Sequence, residues 1–205
     1  MTPLPSSSLL LRPCLRAQTT ALLRDHLLAF MHRVEPAEFV RPCAVIGGTA
    51  GQHVRHIHDH FVRLADAVEH IEQGRGAGSA GSAGSAGSAG SAGCAYDVRA
   101  RATAFEADVV AARVEVTNTL TRMEAIVGAT DLDATINVSF SLAGEEVEMR
   151  STVARECAFV VHHAFHHAAS IKAIATNLGF GHACPAGFGI APSTADYRAQ
   201  NGSSK

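Results

Sequence analysis

Apolar residues recur at helical spacing in four blocks of this chain and alternate with polar ones in a fifth. In the first block Leu23, Leu27, Phe30, Met31 and Val34 share one face, with Thr19 or Thr20 as the expected cap. Pro36 and Pro42 then predict an extended connection to Gly47-Gly48. Thr49 and Gln52 form a capping-box pattern ahead of a second helix expected to reach about Gln73, with Val54, Ile57, Phe61, Leu64, Val68 and Ile71 as its stripe. The third helix is expected to start near Tyr96-Asp97 and end at Gly128. Its stripe is Phe105, Val109, Ala112, Val116, Leu120, Met123 and Val127. Val114, Val116, Thr117, Thr119 and Thr121 weaken its intrinsic propensity, so packing must hold it.

Between 135 and 150 the period changes to two. Ile136, Val138, Phe140 and Leu142 alternate with polar residues, and Ala143-Gly144 marks a turn. A two-residue turn there predicts Phe140 opposite Val147 and Val138 opposite Met149. Such a hairpin must lie on the helices, because alone it is marginal in water. Ser151 or Thr152 then caps a fourth helix that ends at Asn177-Leu178-Gly179. The pattern predicts an all-α fold, a four-helix bundle with a small β-hairpin between helices 3 and 4. The bundle is expected over 17–179, interrupted by a flexible Gly-Ser-Ala insertion at 74–94. Residues 1–16 read as an N-terminal extension, disordered or targeting. Residues 180–205 read as an irregular C-terminal arm whose end, 198–205, is disordered.

Composition narrows the class. A chain of 205 residues with 47% hydrophobic and 18% charged residues can bury a core without staples. Its formal charge of −2, with 5% aromatic residues and no Trp, argues against nucleic-acid binding. No apolar run approaches the roughly 20 residues that span a membrane. The five Cys (14, 43, 94, 157 and 184) lack C-x-x-C spacing and read as reduced thiols, which fits a cytoplasmic protein. Residues 1–24 carry Arg12, Arg16 and Arg24 and no acidic residue, a composition suited to mitochondrial or plastid import.

Histidine is the anomaly. Of 12, eight fall within 53–60 and 162–167. His163 and His167 are four apart, stacked on one helical face with Glu156, Val160, Ser170 and Ile174. That spacing lets two imidazoles grip one metal ion. On the second helix His53, His56 and His60 share one edge of the apolar stripe, and each is a geometric candidate for third ligand. Three neutral imidazoles suit Zn, Ni, Fe or Cu and leave an open position. Glu156 and His60 are the candidate catalytic residues: Glu156 as base or orienting group, or else in an ion pair with Arg99 or Arg101, and His60 facing the substrate. Arg55 and Asp59 read as a surface pair, and Cys157 as a core thiol.

The blocks around these residues resemble a known family. Thr49-Ala-Gly-Gln-His-Val-Arg-His56-Ile-His-Asp-His-Phe61 resembles the second-helix block of DinB-like four-helix bundles. Tyr96-Asp-Val-Arg-Ala-Arg101 and Ser151 through His167 are similar to the third- and final-helix blocks of one branch, with a weaker echo at Phe188–Thr194. The resemblance implies a divalent metal, Zn or Ni, held by His56, His163 and His167. It also implies kinship with thiol-dependent transferases and isomerases. Ala168-Ala169 stand where members acting in ergothioneine-type sulfoxide synthesis carry H-x-E, which argues against that role. The expectation is a metal-dependent enzyme, a small-thiol transferase or hydrolase, acting on a small-molecule substrate. The alternative is a non-catalytic metal-binding or structural bundle, dimerising through an exposed helix face.

Overall fold

A computed structural model describes residues 7–77, 93–97 and 103–202. The fold is mostly helical with a small three-stranded sheet. Helix α1 runs from Ser7–Thr20 through a π-helical stretch, Ala21–Leu28, to a last turn at Ala29–Met31. It therefore starts well before the expected cap, and Thr19 is buried within it. Leu15 continues the buried stripe backwards. Arg12 hydrogen-bonds the carbonyls of Val127 and Thr130, at 2.5 and 2.9 Å, across the chain. Residues 7–16 of the expected extension are thus helical, and residues 1–6 lie outside the described residues. The connection after α1 is not simply extended either. Glu35 and Glu38 close a capping box on a one-turn helix, α2 (Pro36–Phe39), which buries Phe39.

Helix α3 spans Ala50–Ala77. Its capping box forms as expected: Gln52 N donates to Thr49 Oγ1, and Thr49 N donates to Gln52 Oε1, both at 3.1 Å. The helix continues past Gln73 into the start of the Gly-Ser-Ala tract, most of which lies outside the described residues. Tyr96-Asp97 does not open a helix. Gly93–Ala95 is a strand, β1, and Tyr96 follows it in a turn. A short helix α4 (Ala104–Ala107) precedes α5 (Val109–Ala129). Asp108 separates them because its carboxylate accepts from Val110 N and Ala111 N and so starts a new helix.

Strands β2 (Thr135–Leu142) and β3 (Glu145–Thr152) form the hairpin in the expected register, Phe140 with Val147 and Val138 with Met149. Ala143 and Gly144 take φ of 55° and 89°, the pair of positive values a tight primed turn needs. Strand β1 adds parallel to β2, with Cys94 beside Val138, and this corrects the all-α expectation. Three residues behind a low-complexity tract carry no alternation to announce a strand. Ile136, Val138 and Cys94 are buried, and Met149 stays exposed.

Thr152 caps α6 (Val153–Asn177), accepting from Arg155 N at 3.2 Å. Gly179, at φ 85°, ends it: Phe180 N bonds Ala175 O at 2.8 Å and Gly179 N bonds Thr176 O at 3.3 Å. The arm beyond is more ordered than expected. Phe188 is fully buried and stacks on Phe30, and Pro192–Asn201 forms helix α7. Among the described residues four long helices share one core, with α1 and α3 each packed against both α5 and α6. No described helix is long and apolar enough to cross a membrane.

Gly51 is where α3 meets α4: a Cβ there would lie 2.3 Å from Glu106 O and 2.7 Å from Phe39 Cε1. Gly51→Ala is expected to destabilise the fold by about 1–3 kcal/mol, the usual cost of overpacking. An unchanged denaturation midpoint would contradict this contact.

Candidate metal centre

The capping box fixes where α3 begins, and with it the phase of His53, His56 and His60. The Thr152 cap does the same on α6 for His163 and His167. Because α3 and α6 pack together, the two sets face one another. One nitrogen from each of His56, His163 and His167 lies within 4.8 Å of the others, a donor set that can hold a metal ion. His56 Nε2 and His163 Nε2 are 3.0 Å apart. Two nitrogens bonded to one ion at about 2.05 Å would subtend roughly 95° at that separation, within the range of common coordination geometries. All three donors are of one chemical kind, so the set fits a borderline transition metal better than calcium or magnesium.

The other two candidates on α3 sit beside this group. His60 is buried, its Nδ1 is 3.0 Å from the carbonyl of His56, and its ring stacks on His163 with centroids 4.2 Å apart. His53 Nδ1 lies 3.0 Å from His167 Nδ1. Gly48, Gln52, His53 and Arg55 line a cavity of about 390 Å³ with the three grouped histidines.

Two of these histidines are held towards the neutral form. Burial, then the neighbouring histidines His163, His53, His166 and His60, push His167 down to about 3. Burial also lowers His53, against a hydrogen bond with the Gly47 backbone. An uncharged imidazole is the form that coordinates a metal. The buried thiols Cys94 and Cys157 are each pushed up to about 12, chiefly by desolvation, and stay protonated core groups.

Glu156 is fully buried but stands outside the three-His group. Tyr96 Oη donates to its Oε2 at 2.9 Å, and Ser151 Oγ and Arg155 Nη1 donate to Oε1 at 2.5 and 2.7 Å. The ion pair is thus with Arg155; Arg99 and Arg101 lie outside the described residues. Tyr96 links this carboxylate to the histidines because its ring stacks on His60, with centroids 5.1 Å apart. In the sequence the Tyr96 block reads as a helix start and as part of the family resemblance, and neither reading predicts this contact. Arg55 differs from expectation as well. It is buried, pairing with Asp59 at 2.6 Å and with Glu106 of α4 at 2.7 Å. Two carboxylates around one guanidinium make it an interior anchor, and the second was hidden because α4 was not foreseen.

The chain matches no family model, no curated protein and no solved structure.

His58 faces away from the group and stacks on Phe105, and burial pushes it down to about 4. The unfolded imidazole takes its proton near 6.5, so protons favour unfolding increasingly as pH falls from there to about 4. Above that window His58 contributes no slope. With metal chelated, His58→Phe is expected to flatten the denaturation free energy across the window by at most about 3 kcal/mol. An unaltered slope would place His58 in a wetter setting.

Proposed function

We propose that the chain is a DinB-like four-helix bundle that holds one divalent ion, Zn or Ni, on His56, His163 and His167. Its function is metal-dependent chemistry on a small molecule: transfer of a small thiol, or hydrolysis. The observation that carries this reading is the convergence of three imidazole nitrogens from two helices within 4.8 Å, beside a cavity of ligand size. When bound, a divalent ion there supplies Lewis acidity to a water or thiol on the open side of the site.

The chain's own residues set the rest. A carbonyl only accepts, so the His60 Nδ1–H donates to His56 O and the neutral ring keeps its acceptor at Nε2. In this reading His60, stacked on His163 and set behind the cavity wall, is the proton-handling candidate and acts through the neighbouring ring. His53 beside His167 holds that ring's orientation through the Nδ1 contact. Arg55 supplies a fixed cation at the cavity wall, though its charge is largely answered by Asp59 and Glu106.

One observation favours the second reading, a non-catalytic metal-binding or structural protein. Both oxygens of Glu156 are engaged by Tyr96, Ser151 and Arg155, so this buried carboxylate near the site is committed to structure and is withdrawn from base chemistry. On that reading a second copy of the chain, not a substrate, is the partner.

Metal analysis of the purified protein tests the proposal. One equivalent of Zn or Ni per chain is expected, with loss of nearly all of it in His163→Ala, His167→Ala. Equal trace metal in both proteins would overturn the metal site. Once the site is established, thiol-transfer, ester and amide substrate panels separate the readings. Turnover lowered about 10²–10⁴-fold by His60→Gln, with metal retained, supports the enzyme; complete inactivity supports the structural alternative.

A further inference from the structure

Helix α7 buries none of its own side chains, yet it roofs a cavity. About 420 Å³ lies beneath it, with Gln18, Ala21 and His26 of α1 on one side, Asp196 and Arg198 of α7 on the other, and Phe165 of α6 at hand. A second cavity of about 350 Å³ continues over α6, where His162 and His166 face Thr194. Both are lined by Phe165, Ile190 and Arg198, so they meet along these residues as one groove. Each is of the size small ligands fill. None of the groove's histidines belongs to the three-His group.

The lining has a definite chemistry. Phe165, Ile190, Ala21 and Pro192 give apolar contact. Arg198 stands where the cavities meet and makes no ion pair among the described residues. Its charge is permanent and its donors are forked to match a carboxylate. The acidic residue, Asp196, lines one cavity only, and His162 and His166 line the other. His26 adds a second feature. It lies in the π-helical stretch of α1, edge-on to Phe165 and stacked on Phe188, and its Nδ1 is buried with no hydrogen-bond partner among the described residues. A widened helical turn is a common companion of a binding site.

We propose that this groove is a second small-molecule site, separate from the three-His centre, which takes an amphipathic monoanion. Its ligand has an apolar body of about ring size and one carboxylate that engages Arg198. The inference does not depend on the metal reading.

Calorimetric titration of the full chain with phenylacetate and its neutral counterpart, phenylacetamide, tests it. Saturable binding is expected, with the acid favoured by at least about fivefold, as a charge-assisted pair gives. Arg198→Gln should reduce the acid to the affinity of the amide. Ala195→Trp, on an exposed helix face lining the groove, should weaken both by about fivefold or more through steric filling. Both ligands should bind His163→Ala as they bind the unaltered protein. The site is overturned if neither ligand saturates, if acid and amide bind equally, or if Ala195→Trp has no effect. Loss of binding in His163→Ala would overturn it too, by placing the acid at the three-His centre.

Discussion

His56 and His163 set their Nε2 atoms 3.0 Å apart across the seam between α3 and α6, and His60 and His167 pack against the same rings. A proton on His167 would place a charge beside the other rings of this largely buried cluster, and the three-His group itself is made of imidazoles alone. Burial and the neighbouring rings therefore favour the neutral form of His167, the form in which it can share a cation with His56 and His163. That constraint shapes the surroundings. Tyr96 and Phe159 cover the outer faces of His60 and His163, while the cavity opens beside His53 and Arg55.

Charge is handled away from the rings. Glu156 gathers three donors at the start of α6, so one buried carboxylate ties β3 and the turn after β1 to that helix. Arg55 does the converse on α3, gathering Asp59 and Glu106 and pinning α4 to that helix. Removing one partner of such a group costs more than the pair contributes, because it leaves the other buried and unmet. The two anchors flank the histidines and fix the seam without placing a competing charge inside it.

Much of this was legible where physics is local. The Thr49–Gln52 box, the Thr152 cap, the Gly179 stop and the hairpin register depend on residues a few positions apart, and each lies where its pattern puts it. Periodicity placed His163 and His167 together and left His53, His56 and His60 as rivals; packing of α3 on α6 brings His56 into the group. What escaped depends on distant partners. Arg12 reaching the end of α5 extends α1 back to Ser7, Val138 beside Cys94 makes a strand of three residues, and Gly189 lets the arm press on Ala169. None of those contacts has a signature within one sequence window. Asp108 acts locally, but it sits inside an apolar stripe that runs on unbroken from Phe105 to Val109, so periodicity alone gives no sign of a new helix start there.

One shared ion requires His56 to stand beside His163 and His167 as a ligand. X-ray absorption of the zinc-loaded protein reads this directly, through nitrogen at about 2.0–2.1 Å and the outer-shell scattering of each imidazole ring. Three histidine rings around zinc are expected in the unaltered chain and two in His56→Ala. Sulfur in the coordination shell, or the same ring count in both proteins, would contradict it.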